Sequence, residues 1–476
     1  MDAASSRLKR ACVIHMKWEQ VFDPVTMKID RKYANVWLED LPDLSVECSV
    51  TKVSELLGEK IKVGSEEFST RDSSLVDAAS LLRPKRLAKN FPLKSSGSRI
   101  SRVFLRQDLI NLWNALVDEE NTNELNILSA ASGLGKSIYL YLIAVFARHF
   151  GIPVQYIGNT GDLLRDRSNE ELEASNNFAA LLLFMNLKIL DELGPFHSCG
   201  PDYEHLRGLP MEHAIFYAHQ KGDLLLCGEL RRNFMNMAQR NFLIVDEHNA
   251  LWQKFGNDTK TWLPFFELYA DPVGHATRYC KFVIATSQLH QFKLPSGYVF
   301  SIQYVKPLSR EEFEIWERLD DYPKIFRDNE STVVDLTGFV PGMIAELIGM
   351  SRSFPNLSFG EVAARFYEEC YADMQIVHSE YVKSLTHEVS KKQFYDGLHK
   401  LFRGRETPAI TLFDSAYRDR GLLIAMNDGS LQFYNSIACD ILYESFSNYY
   451  FTKERILELS KRFKECQMAD ADGGEF

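Results

Sequence analysis

Apolar residues along this chain fall in two rhythms. Short runs rich in apolar and β-branched residues recur at 127–128, 153–157, 242–245, 282–285 and 298–305. Such runs fit strands buried on both faces of a parallel sheet. Between them, apolar positions return every three or four residues over 103–116 and 138–150, and through a long stretch at 162–240. That spacing predicts amphipathic helices. Within the long stretch, 181–190 is apolar enough to be core rather than a binding surface. Strands alternating with helices predict an α/β fold on a parallel sheet, with a helical insertion.

The flanks read differently. Residues 12–18 and 34–38 predict short strands and 53–57 a short helix, giving a small α+β region at 1–99. This region closes in a polar K-S-S-G-S-R linker at 94–99. The core is expected at 100–310. Ser309 followed by Glu312 is a capping-box pattern and starts a helix at 311–319. Further helices are expected at 343–350 and 359–385, so that 311–390 forms a helical lid, and another at 391–402 opens the next domain. Over 391–476 a short helix at 412–420 precedes two apolar runs, 421–425 and 431–434, flanking Asp428-Gly429. Asp-Gly is a tight-hairpin signal. With a helix at 437–446 it predicts a winged-helix-like domain ending in a disordered tail.

Candidate chemistry concentrates where two of the core runs end. After Ile127 and Leu128 the chain reads Ser129-Ala130-Ala131-Ser132-Gly133-Leu134-Gly135-Lys136-Ser137, then an amphipathic helix. Glycines let a loop curl until successive N–H groups converge, and the following helix adds partial positive charge. Ala130 through Ser137 thus form a phosphate cradle, in which Lys136 reaches the β- and γ-phosphates and Ser137 a Mg²⁺ ion. The pattern G-x-x-x-x-G-K-[S/T] has glycine where this chain has Ala130, a tolerable exchange at an ordinary φ. After 242–245 come Asp246 and Glu247, at the strand end where open α/β sheets bind ligands. Asp246 is expected to order the Mg²⁺ shell, and Glu247 to orient and deprotonate an attacking water. Either motif alone also fits an ordinary turn. Both together, in this order, point to a P-loop NTPase binding Mg²⁺ and ATP.

Thr286, Ser287 and Gln288 end the next run; one of them, with Ser287 assigned to the nucleotide site, is expected to sense the γ-phosphate, the alternative being an ordinary strand-ending turn. Gln107 and Asp108 precede the first core strand, near where a base would rest. Arg278 reads as a surface arginine or an arginine finger, and His197 with Cys199 as a loop too sparse in ligands for a metal site.

Charge and cysteines narrow the partners. The net charge of −11 excludes a wholesale nucleic-acid coat but leaves room for a local basic surface. Eight cysteines with no C-x-x-C pair argue for a reducing compartment. No apolar run approaches the roughly 18 residues of a membrane span, so no membrane partner is expected. The basic cluster at 83–89 reads as a nuclear address or a solvated linker.

The order of phosphate loop, insertion, D-E strand, polar-ended strand, V-K-P-L-S-R-E-E-F, G-F-V-P and helix–hairpin–helix resembles the AAA-like and STAND-type P-loop ATPases. More narrowly, residues 301–313, 333–348 and the F-D-S-A-Y-R-D-R-G-L-L run from Phe413 resemble the ATPase module of Crinkler-type effectors and retrotransposon hot spot proteins. The resemblance covers residues 100–450. It implies an ATP-driven conformational switch, with Pro341 of Gly338-Phe339-Val340-Pro341 against the nucleotide. It also implies a nuclear location, with the cytoplasm, or secretion into a host cell, as alternatives. DNA or a chromatin-associated protein is the implied partner, and homo-oligomers fit the family. The chain lacks the L-x-L-F-L-A-K translocation motif near its N-terminus and an E-x-K nuclease constellation. The rival reading is a nucleotide-gated interaction or DNA-binding scaffold with little hydrolysis.

Overall fold

The computed structural model describes residues 14–44, 50–72, 75, 78–79, 81–82, 100–120, 125–158, 170–197, 201–237, 239–246, 279–286, 300–319, 322–403, 421–426, 430–451 and 461. The chain divides into two compact units, Met1–Lys324 and Ile325–Phe476.

The first unit opens with β1 (His15–Lys17), β2 (Val36–Leu41), α1 (Val50–Leu57) and the hairpin β3 (Lys60–Val63) and β4 (Glu66–Ser69). Next come β5 (Ile100–Leu105), α2 (Gln107–Val117), β6 (Leu125–Ser129), α3 (Lys136–His149) and β7 (Val154–Ile157). The helical insertion holds α4 (Glu170–Met185), α5 (Met211–Lys221) and α6 (Leu224–Met235). It is followed by β8 (Asn241–Val245), β9 (Cys280–Thr286), β10 (Phe300–Tyr304) and α7 (Arg310–Glu317).

Five strands form one parallel sheet in the order β10-β6-β9-β8-β7. Every residue of β6, β7, β8 and β9 is buried, as the apolar runs require of strands covered on both faces. Parallel pairing brings all five C-terminal ends to one edge. There Ser129 stands beside Thr286 on one side and Tyr304 on the other. The outer edge of β7 is closed by a side chain. Asn186 accepts from the Val154 N–H and donates to its carbonyl, both at 2.9 Å, so that residue's backbone groups are satisfied without another strand.

The region read as a helix at 103–116 is part strand. Val103, Phe104 and Leu105 belong to β5, antiparallel to β2, with Val36 opposite Leu105 and Leu38 opposite Val103. Three adjacent apolar residues suit either period locally. The pairing partner, some 65 residues earlier, decides for strand. Arg106 is extended, and the helix starts only at Gln107.

The N-terminal region is built onto the core rather than standing apart. Trp18 stacks on Phe146 of α3 at 6.1 Å, and Phe22 meets the same ring edge-on at 4.9 Å. The Tyr141 hydroxyl, also on α3, donates to the Pro42 carbonyl at 2.7 Å and accepts the Leu44 N–H at 3.0 Å. The helix expected to open a lid at 311 also packs within this unit. Trp316 lies 5.5 Å from Trp37 of β2, and Glu312 is ion-paired with Arg106. The capping box between Ser309 and Glu312 is formed in both directions.

The second unit carries α8 (Glu330–Thr337), α9 (Pro341–Ser353), α10 (Phe359–Ser384), α11 (Glu388–Arg403), the antiparallel hairpin β11 (Leu423–Ala425) and β12 (Leu431–Phe433), and α12 (Ser436–Tyr450). Residues 404–420 and 427–429, which include the helix expected at 412–420 and the Asp428-Gly429 turn, lie outside the described residues. The hairpin is tied to the α8–α9 junction by Asn435, whose amide donates to the Leu336 carbonyl at 2.8 Å while its oxygen caps α12 at Ala438. No described helix is long and apolar enough to cross a membrane.

Candidate functional site

The loop between β6 and α3 is shaped by two glycines. Gly133 has φ +88° and Gly135 φ +103°, in the left-handed region that glycine alone enters without strain. A Cβ on Gly135 would meet no atom within 4 Å, so its constraint is the backbone angle and not space. Four described non-glycine residues have positive φ: Met27, Asn35, Asp40 and Phe339. Ala130 is not among them, so its methyl group is tolerated where the general pattern has glycine.

Gly135 is also the N-cap of α3 and has no side chain to cap it. The Ile138 and Tyr139 N–H groups fold back to the Gly135 carbonyl at 3.0 and 3.1 Å. This leaves the earlier N–H groups of Lys136 and Ser137 at the positive end of the helix dipole. Ala130, Ala131 and Leu134 are buried and anchor the loop, Ser132 is exposed, and Gly133, Gly135, Lys136 and Ser137 are half-buried. The Lys136 ammonium turns back over the loop and donates to the Ala130 carbonyl and, at 3.1 Å, to that of Ala131. The cation is thus folded over the loop.

Asp246 follows the last residue of β8 at the same sheet edge. Its N–H donates to the Ile157 carbonyl at 2.9 Å, which extends the pairing with β7 by one residue, and its side chain is buried. Only β9 separates β6 from β8, which puts the two strands roughly 10 Å apart. Alternation places Asp246 on the face of Ile244, and therefore of its register partner Tyr156. One hydroxyl, Ser137, and one carboxylate, Asp246, are a sparse donor set. It suits Mg²⁺, which keeps several waters and takes phosphate oxygens as further ligands. Thr286, fully buried at the end of β9, lies between the loop strand and the acidic strand.

A polar cluster underlies the α3 side of the loop. Gln303 of β10 donates to the Asp108 carbonyl at 3.0 Å. Burial pushes the Asp108 carboxyl above its ordinary range, opposed by the nearby Arg106. Tyr139 on the first turn of α3 is buried, and its phenol is raised by that burial, with Arg106 opposing. Gln107 is turned away, its amide donating to Asn111 at 2.9 Å on the exposed side of α2.

Of the residues predicted from sequence, Ala130 to Ser137 and Asp246 meet at one sheet edge. Glu247, Ser287, Gln288, Arg278 and Cys199 lie outside the described residues. Pro341 is the first residue of α9, in the second unit, and is buried. The glycine of its motif answers to a close contact within the second unit. A Cβ on Gly338 would lie 2.1 Å from the Tyr434 carbonyl oxygen. His197 donates its N–H to Asn233 and accepts from the Asn233 amide through its carbonyl, a backbone tie rather than a ligand set. Sequence reasoning missed Tyr156 and Gly158, whose only trace was the polar interruption of the 153–157 run and the glycine just after it. No family model and no curated protein matches this chain.

Proposed function

We propose that this protein is a Mg²⁺-dependent P-loop ATPase of AAA- or STAND-like type, with a Crinkler-type module, that couples ATP binding and hydrolysis to a conformational switch. The observation that carries the reading is the shared edge. The glycine-curled loop after β6, the uncapped N-terminus of α3 and the buried Asp246 after β8 converge there, at the strand-order reversal where open α/β sheets bind ligands. In this reading the loop N–H groups and Lys136 hold the β- and γ-phosphates. Ser137 and Asp246 hold the cation, which when bound neutralises charge on the transferred phosphoryl oxygens. Glu247, the next residue along the chain, orients the attacking water and takes its proton. Thr286, at the end of the strand between the two motifs, or Ser287, the next residue in the chain, would follow the presence of the γ-phosphate. The helix–hairpin–helix order of the second unit supports a winged-helix-like element as the part that responds.

Glu247→Gln tests the reading. It keeps size and hydrogen bonding but removes the base. The expected result is undiminished Mg²⁺–ATP binding with turnover lowered by at least about 100-fold. Turnover equal to that of the wild type contradicts it. Wild-type protein that binds Mg²⁺–ATP without turnover moves the reading to a nucleotide-gated scaffold, and DNA-stimulated turnover would make DNA the partner.

A further inference from the structure

Tyr156 lies in β7 with its side chain fully inside the protein, and its hydroxyl has no hydrogen-bond partner among the described residues. Burying an unpartnered hydroxyl opposes folding, and phenylalanine at the same place would avoid that cost. The space around the hydroxyl is kept open by a glycine. A Cβ on Gly158 would sit 3.0 Å from the Tyr156 hydroxyl and 3.0 Å from the Leu81 carbonyl oxygen. Gly158 does not have a positive φ, so space and not backbone conformation calls for glycine there. The contact with Gly158 also shows that the Tyr156 side chain leans along its strand, beyond Ile157, to the edge where the phosphate loop and Asp246 stand.

Asp246 is the diagonal neighbour of Tyr156 on the adjacent strand, two residues past its partner Ile244 and on the same face. Burial, then the Asp246 carboxylate and the Tyr141 phenol, hold the Tyr156 phenol well above its ordinary range. A phenol O–H is a hydrogen-bond donor.

We propose that Tyr156 is a positioning residue for the metal side of the nucleotide site: its hydroxyl donates to the Asp246 carboxylate when that carboxylate turns to hold the Mg²⁺ of a bound nucleotide. This rests on the ATPase reading above. The donor fixes which carboxylate oxygen faces the cation, in the way that outer-shell hydrogen bonds orient metal ligands elsewhere.

The test uses the full chain, wild type against Tyr156→Phe, and reads ATP binding by calorimetry across a range of Mg²⁺ concentrations and in excess EDTA. The expected result is a rise of about tenfold in the Mg²⁺ needed for half-maximal ATP binding. ATP affinity in EDTA stays unchanged, and the ligand-free Tm is equal or higher because a buried orphan has been removed. A lower Tm with an unchanged Mg²⁺ dependence makes the role purely structural and overturns the proposal. An unchanged Mg²⁺ dependence at equal Tm overturns it as well. Wild-type protein whose ATP binding is absent or indifferent to Mg²⁺ overturns the site reading itself, and this proposal with it.

Discussion

Arg106 and Glu312, 206 positions apart in sequence, form a two-pronged buried ion pair, with Nε to Oε1 at 3.0 Å and Nη2 to Oε2 at 3.2 Å. The guanidinium is completed by the Lys306 and Pro307 carbonyls at 2.8 and 2.9 Å. Glu312 also accepts the Ser309 N–H at 2.7 Å, so one carboxylate both closes the capping box of α7 and neutralises the residue that precedes α2. Removing it strands a buried cation. Glu312→Ala is expected to lose about 3–5 kcal/mol in urea unfolding of the first unit. Ser309→Ala removes only the cap and should cost about 1 kcal/mol. Equal losses in the two variants would mean that the ion pair contributes little.

Gly338 is fixed by two constraints at once, φ +57° and the Tyr434 carbonyl 2.1 Å from where a Cβ would be. Neither can be relaxed by turning a side chain. Gly338→Ala should therefore destabilise the second unit by about 3 kcal/mol, combining the left-handed backbone cost with the clash. Thermal unfolding monitored in that unit checks this. Phe339, beside it, is held at φ +61° in the same left-handed region.

Gly135→Ala is a cleaner probe of the loop, since only the angle of +103° forbids the side chain. The expected stability loss is about 1–2 kcal/mol. Nucleotide affinity should fall by more than that, because relaxing the angle re-aims the first N–H groups of α3. Unaltered ATP affinity would show that those donors are not used.

His378 in α10 is buried, and burial pulls its imidazole down to about 4. The unfolded chain takes up this proton near pH 6.5 and the folded chain only near pH 4, so in between the unfolded state binds more protons. Its contribution is complete above pH 6.5 and is lost as pH falls toward 4, by about 3 kcal/mol over the window. The measurement is the difference in stability between wild type and His378→Leu from pH 7 to pH 4. A flat difference contradicts it.

What was legible in the sequence was whatever is local. The strand–loop–helix at 125–149 announces itself through Gly133, Gly135 and Lys136, and β8 through an apolar run stopped by Asp246. The capping box at Ser309 is likewise written within four residues. What failed to show was long-range. Val103 to Leu105 fit a helix until Val36 to Leu38 pair with them, and nothing near Glu312 signals Arg106. The glycine of Gly338-Phe339-Val340-Pro341 reads locally as part of a nucleotide motif, whereas its requirement comes from Tyr434, which the hairpin brings to it. Tyr156 was invisible for a related reason, since a tyrosine in a β-rich run is ordinary until its hydroxyl is found without a partner.

The most direct test of the central claim is Mg²⁺-dependent ATP turnover by the full chain, wild type against Lys136→Ala. Lys136 folds over the loop that the claim assigns to the phosphates, donating to the Ala130 and Ala131 carbonyls. Turnover in the wild type that is lost in the variant, with Tm lowered by no more than a few degrees, is the result the account predicts. Equal turnover in the two proteins would contradict it.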